Sequence, residues 1–298
     1  MTNTNKTCFD NSVQASEQIF ATAPNVNFWI LIEYKDFWEE KAFNNCDIDI
    51  EVKNVIRDLA GQHPKSRIQL IRNEHSSKDH IKLYIAVTKE TEKKVYEFRV
   101  ISYQDILKID FERGLSEKTL KSQPLLLVCT HGSHDKCCGE KGLELFGHLS
   151  KYEKDFEVWQ TTHLGGHRFA ANILILPGGI YYGRINKENY VKIRDSYFDS
   201  KLETGFLRGR CFYHPDVQAA EYFFRSELKY STLNNLHLRS QSTTKNGVVN
   251  VIVENTELKR AYEVILKKND KALQLFTSCR DIHKKFIAQY KLVSINKI

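Results

Sequence analysis

Residues 125–185 read LLLVCTHGSHDKCCGEKGLELFGHLSKYEKDFEVWQTTHLGGHRFAANILILPGGIYYGRI. Leu125–Cys129 is a short apolar run suited to a buried strand. Leu143, Phe146 and Leu149 fall on one face of a helix that the pattern starts near Gly139. Phe156–Thr161 returns to strand character. Ile173–Leu176 and Ile180–Ile185 flank Pro177-Gly178-Gly179, which reads as a hairpin turn. The stretch is therefore strand, helix, strand, hairpin.

The same order precedes it. Phe28–Tyr34 is an apolar strand. Ile48–Leu59 places Ile50, Val52, Val55, Ile56 and Leu59 on a helical period, with Gly61 as its stop. Arg67–Arg72, Ile81–Val87 and Lys94–Ile101 read as strands, the last two joined by a polar turn. Downstream, Pro215 sits at a first helical position, and Val217, Ala220, Phe224 and Leu228 mark an amphipathic helix. The expected fold class is α/β (α+β): two thioredoxin-like strand–helix–strand–hairpin halves in tandem, plus a C-terminal antiparallel β appendage. The expected divisions are 1–120, 121–230 and 231–298, with residues 1–25 an irregular lead-in. In the last division SQSTTKNG reads as a linker before four β-like runs, VVNVIV, AYEVIL, ALQLFT and KFIAQYKLVSI.

With 298 residues, 41% hydrophobic and 27% charged, the chain has the composition of a globular protein with real cores. The net charge of +7 comes from lysines scattered along the length rather than from a basic patch interleaved with aromatics, which argues against nucleic acid as a partner. No apolar run approaches a membrane span, and the N-terminus has no apolar core of a signal peptide. An odd cysteine number without a disulfide-like spacing points to a reducing compartment. The first 25 residues contain no Arg, so the expected compartment is the cytoplasm.

Residues 129–167 hold five of the eleven histidines and three of the seven cysteines, an unusual concentration of transition-metal ligands. Cys129 ends a buried strand. The loop after it leads into a helix whose N-terminus favours an anionic thiolate–metal centre. His163 and His167 are helically spaced, but Gly165-Gly166 between them favours a tight loop. A Cys2His2 set suits Zn²⁺ as well as iron. Zinc fingers pair their cysteines two to four residues apart, so the eight residues between Cys129 and Cys138 suit a bulkier group. Spacing alone leaves zinc and an iron–sulfur cluster both open.

C-T-H-G-x-x-D-x-C-C, followed by H-L-G-G-H-R-F-A and G-x-x-Y-G-R, resembles the sucrase/ferredoxin-like family. The likeness extends to Phe28–Tyr34 and to the helix start at DVQAAE. It implies a thioredoxin-like ferredoxin half of the bis-histidinyl type, in which a [2Fe–2S] cluster is held by C-x8-C and H-x-G-G-H. Carried onto this chain, the ligands are Cys129, Cys138, His163 and His167. Two imidazoles in place of two thiolates raise the potential from about −400 mV to roughly −150 to +300 mV. No paired-carboxylate constellation supports the sucrase half of the family name.

The resemblance implies one-electron transfer or redox sensing with a reductase or an electron acceptor, rather than a stand-alone enzyme. Two alternatives accompany it: a zinc-stabilised Cys2His2 binding module, and a thiol-dependent oxidoreductase or hydrolase using Cys129. Around the four ligands, Cys137 reads as a small hydrophobe or a substitute for Cys138. His131 and His134 read as loop residues or hydrogen-bonding partners of the ligands, and His148 as solvated. Arg168 is expected to offset cluster charge or to pair with Glu140 or Asp135. Cys8, Cys46, Cys211 and Cys279 read as isolated structural thiols, and Trp29, Trp38 and Trp159 as core.

Overall fold

The computed structural model describes residues 6–298, so the first five residues of the expected lead-in lie outside it. In chain order the elements are α1 (Cys8–Gln14), β1 (Phe28–Glu33), α2 (Ala42–Asn45), α3 (Ile50–Gln62), β2 (Ser66–Arg72), β3 (Ile81–Thr88), β4 (Lys93–Val100) and α4 (Phe111–Gly114). The second half carries β5 (Leu125–Cys129), α5 (Lys136–Tyr152), β6 (Glu157–Thr161), β7 (Ile173–Leu176), β8 (Ile180–Tyr182), α6 (Lys187–Phe198), β9 (Leu207–Arg210) and α7 (Pro215–Glu227). The C-terminal part is β10 (Leu236–Thr243), β11 (Val248–Asn255), β12 (Arg260–Leu275) and β13 (Lys285–Lys297).

The fold is α+β, with the expected repeat written into one sheet. Nine strands run β4-β3-β1-β2-β6-β5-β7-β8-β9. Within each half the first two strands are parallel and the third returns antiparallel on the first. The hairpin then closes the unit. Both halves thus have the thioredoxin-like order 4-3-1-2, and they meet edge to edge where β2 pairs antiparallel with β6 at Ile71 and Thr161. The sheet runs continuously across residue 120.

Alternation along the strands assigns the faces. Ile30 and Ile32 of β1 point at Val52, Ile56 and Leu59 of α3. Leu126 and Val128 of β5 point at Leu145, Phe146 and Leu149 of α5. The opposite face carries Trp29, Leu31, Leu125, Leu127, Cys129 and Trp159 into one core shared by both halves. Sharing is possible because the sheet curls, bringing β4 near β7. The three tryptophans are buried as expected.

Several boundaries differ from the sequence reading. Part of the lead-in is helical: Thr7 caps α1 through a reciprocal bond with Asp10. α5 begins three residues before Gly139 because the Asp135 carboxylate caps it, accepting from the Cys137 N–H; Leu143 is left exposed. α3 runs through Gly61 to Gln62, and Ile50 is solvent-facing. α6 and β9 were not anticipated. α6 has a mixed polar pattern with only Tyr190 and Ile193 buried, and β9 buries two arginines, so neither shows apolar periodicity.

In the appendage, the first four residues read as a linker, Ser240 to Thr243, are the exposed, polar outer end of β10, an edge strand. AYEVIL and ALQL join into the single strand β12, because β13 pairs along both parts across an irregularity between Asn269 and Leu273. The second sheet packs on α7: Val217, Ala220 and Phe224 meet Val249, Val251, Val264 and Leu266.

β9 is anchored to α7 by a buried ion cluster. The Glu221 carboxylate takes Arg210 at 2.7 Å and Arg225 at 2.9 Å. Burial opposes ionisation of Glu221, but the two guanidiniums outweigh it and hold its carboxyl below the ordinary range. Breaking such a cluster from one side strands buried charge. Glu221→Gln is expected to lower stability by about 3–5 kcal/mol in chemical denaturation. Because the folded pKa is depressed, the Glu221 contribution is present above the unfolded carboxyl pKa and fades as pH falls through the folded one, so wild type and variant converge in acid.

Candidate metal centre

Cys129 is the last residue of β5, its N–H bonded to the Asn172 carbonyl at 3.0 Å. α5 closes directly over it. A Cβ on Gly142 would lie 1.9 Å from the Cys129 carbonyl oxygen, so the helix reaches this strand end only because residue 142 has no side chain. The intervening loop folds tightly as well, with the backbones of Gly132 and Gly139 in contact. Cys138, in the first turn of α5, then points back at the strand end. Its Sγ is 3.7 Å from His163 Nδ1.

His163 leaves β6 held at its backbone. Its N–H donates to His131 Nδ1 at 3.2 Å, and His131 Nε2–H donates to the Glu39 carbonyl at 2.8 Å. Its carbonyl accepts from Arg67 and from Gln69 Nε2. Gly165 and Gly166 then turn the chain through φ +94° and +71°, the left-handed region that favours glycine. The expected tight loop follows, with His167 starting a single 3-10 turn. Arg208 of β9 holds this loop from below, donating to the Gly165 carbonyl at 2.8 Å, to Asn172 Oδ1 at 2.9 Å and to both oxygens of Thr22. Among the described residues no carboxylate pairs with Arg208, and burial pushes its pKa down to about 10.

The four expected residues meet in two overlapping groups. Donor atoms of Cys129, Cys138 and His163 lie within 4.8 Å of one another, as do those of His134, His163 and His167. The sulfurs are interior and the imidazoles half-buried. His167 Nδ1 is buried without a hydrogen-bond partner, while its Nε2 faces Asp135 Oδ2 at 3.9 Å. Two thiols with His163, and an unpartnered ring nitrogen of His167 grouped with that same His163, make a donor set that fits a metal or an iron–sulfur cluster.

The electrostatics favour the metal-binding form at Cys129, His134 and His167, whereas Cys138 stays a thiol that gives up its proton only on binding a metal. The hydrogen bond from Cys138, helped against burial by His163, holds Cys129 well below the usual thiol range, and Cys138 is correspondingly raised. Burial lowers His167 to about 4 even with Asp135 nearby, and also lowers His131 and His134. Neutral imidazole is the metal-binding form.

Neighbouring residues depart from their sequence readings. His134 stacks on His163 with ring centroids 4.1 Å apart and joins the imidazole group, which no spacing rule indicated. His131 is a buried positioning residue of the His163 backbone. Cys137 points away from Cys138's neighbours and lies 3.6 Å from Cys8 and 3.4 Å from Cys279, sulfur to sulfur, so neither of those thiols is isolated. Arg168 pairs with Glu17 at 2.8 Å rather than with Glu140 or Asp135. Asp135 stood in the quoted motif and as a candidate partner of Arg168 without its capping role being read, and no sequence signal marked Arg208, because a buried cation depends on distant partners.

The chain is an α+β protein in which thiols and imidazoles cluster at one strand end of a thioredoxin-like half, an arrangement that allows a metal to be held there. Residues 19–209 match the sucrase/ferredoxin-like family, and the chain belongs to it. It is similar to proteins named altered inheritance of mitochondria protein 32. The likeness is 33% identity over 97 residues in Debaryomyces hansenii, covering 30% of this chain and 34% of that protein. In Meyerozyma guilliermondii it is 35% over 81 residues, covering 24% and 29%. In Candida glabrata it is 30% over 105 residues, covering 34% and 32%. The chain thus spans about a third of the length of these relatives. No solved structure matches. No helix among the described residues is long and apolar enough to cross a membrane.

The closeness of α5 to β5 is testable. Gly142→Ala is expected to destabilise the fold by about 1–3 kcal/mol through overpacking, read as a lower denaturation midpoint. Gly147→Ala on the same helix, where a Cβ meets nothing within 4 Å, is the matched control and should not destabilise.

Proposed function

We propose that the chain holds a [2Fe–2S] cluster through Cys129, Cys138, His163 and His167 and serves in one-electron transfer or redox sensing. The observation that carries this reading is the convergence of two buried thiols with His163, beside a His167 whose Nδ1 is buried and unpartnered. When bound, such a cluster supplies a single reversible electron at a potential raised by its imidazole ligands.

The chain's own residues support that chemistry in separable ways. Cys129 and Cys138 supply the interior thiolates, screened from water by β5 and α5. His163 and His167 occupy the half-buried side, which is the natural face for a redox partner. His131 orients His163 through its backbone N–H, and Asp135 faces the far nitrogen of His167. Arg208 adds a buried positive charge beneath the Gly-Gly loop, which favours added negative charge nearby. A nucleophilic role for Cys129 is disfavoured by its 1% exposure, since a reactive thiol needs access.

The test is spectroscopic. The purified full chain is expected to be red-brown with about two irons and two sulfides, and its reduced form to show a lower average g than all-thiolate clusters. Colourless protein with zinc at these four residues would establish the binding-module alternative instead. Cys129→Ser and Cys138→Ser are expected to lose the cluster. His163→Cys or His167→Cys is expected to lower the potential, because a thiolate adds negative charge; an unchanged potential would mean a wrong ligand assignment.

The partner is proposed as a redox protein, with neither a membrane nor nucleic acid required. The cytoplasmic placement expected from the sequence stands beside relatives whose name refers to mitochondria. Fractionation of cells expressing the tagged chain decides between the two compartments.

A further inference from the structure

On the side of Asp135 away from Cys138, three thiols from remote parts of the chain form a triangle. Cys8 opens α1, Cys137 lies in the first turn of α5, and Cys279 lies between β12 and β13. Their sulfurs are 3.6 Å apart for Cys8–Cys137, 3.4 Å for Cys137–Cys279 and 3.6 Å for Cys8–Cys279. All four donors, Asp135 included, lie within 4.8 Å of one another.

We propose that Cys8, Cys137, Cys279 and Asp135 form a second metal site, a tetrahedral structural zinc site separate from the Cys129–His167 group. Tetrahedral zinc with bonds of about 2.3 Å sets its sulfurs about 3.8 Å apart, within a few tenths of an ångström of the triangle. Asp135 has capacity for the fourth position. Its Oδ2 accepts from the Cys279 N–H and from the Ser278 hydroxyl, both at 2.9 Å, while Oδ1 accepts from the Cys137 N–H at 2.9 Å and from the Cys8 thiol at a long 3.9 Å, a proton that zinc binding would remove. A carboxylate offers about four lone-pair sites, so Oδ1 keeps one for a cation.

The donor set selects the metal. Three thiolates and one carboxylate make a borderline set that suits Zn²⁺; Cu⁺ prefers sulfur alone, and an all-cysteine iron–sulfur cluster needs a fourth thiolate. The surroundings suit an anionic centre. The N-terminus of the 17-residue α5 points at it, and the Cys8 N–H donates to Cys279 Sγ at 3.4 Å. Cys279 is exposed, which gives zinc a way in.

The site would join the two ends of the chain at a second place, beside the paired hydrogen bonds of Gln18 with the Tyr290 backbone. Cys8 and Cys279 are 271 positions apart, and a link closing so long a loop restricts the unfolded chain strongly. It would fasten α1 and the β12–β13 loop to the helix turn that also carries Cys138. Asp135, a ligand here and 3.9 Å from His167 Nε2, would stand between the two centres.

The experiment measures zinc and iron together on the full chain after dialysis against a weak chelator. About one zinc per chain is expected, lost in Cys8→Ser and Cys279→Ser and retained in Cys129→Ser. Cys279→His is expected to restore zinc, which separates ligation from folding because histidine is a zinc ligand and serine is not. Cobalt in place of zinc should give a sulfur-to-metal charge-transfer band that Cys279→Ser removes. Wild-type protein without zinc, zinc held equally by both serine variants, or a chain lighter by two hydrogens because two of these thiols form a disulfide would each overturn the proposal. Iron without zinc would overturn this site and leave the cluster reading standing; zinc without iron, retained in Cys129→Ser and lost in Cys279→Ser, would do the reverse.

Discussion

One buried carboxylate organises this end of the molecule. Asp135 caps α5, receives the Cys279 N–H and the Ser278 hydroxyl, and faces His167. Burial works against its ionisation, but the Cys279 and Cys137 N–H groups and nearby His167 keep its carboxyl below the ordinary range. By fixing where α5 begins, it sends adjacent cysteines in opposite directions. Cys138 turns inward to Cys129 and His163, and Cys137 turns to Cys8 and Cys279. A helix starting at Gly139 would have left both cysteines in the loop.

The second constraint is the joining of two similar halves through β2 and β6. An isolated strand–helix–strand–hairpin unit covers one sheet face with its helix and leaves the other bare. Here the two bare faces curl toward each other and share a core of Trp29, Leu31, Leu127 and Trp159. The half without the cysteine pair therefore takes part in the site indirectly. Its Arg67 and Gln69 hold the His163 carbonyl, and Glu39 fixes His131. The N-terminal repeat is a wall of the centre as well as half of the core.

Legibility in the sequence followed apolar patterning. Strands β1 and β5, buried on both faces, and the α7 start at Pro215 stood out because hydrophobicity and local turn chemistry define them alone. β9 was hidden because its buried residues include Arg208 and Arg210, satisfied by Thr22 and Asn172 in other segments of the chain and by Glu221 on the following helix. β10 was hidden because an edge strand can remain polar on its outer half. The glycines of the His163–His167 loop were readable, since a left-handed backbone constrains residue type directly. Gly142 was not, since its requirement is a carbonyl contributed by another element.

The sequence by itself determined the repeated order of elements, the concentration of thiols and imidazoles between residues 129 and 167, and the family to which the chain belongs. Those properties are written in local spacing and residue type. Only the tertiary structure decided that Cys8, Cys137 and Cys279 are neighbours, that His134 stacks on His163, and that Arg168 answers to Glu17. Contacts between side chains tens to hundreds of positions apart depend on how sheets curl and helices seat. That is a matter of packing geometry, which no spacing along a single chain encodes.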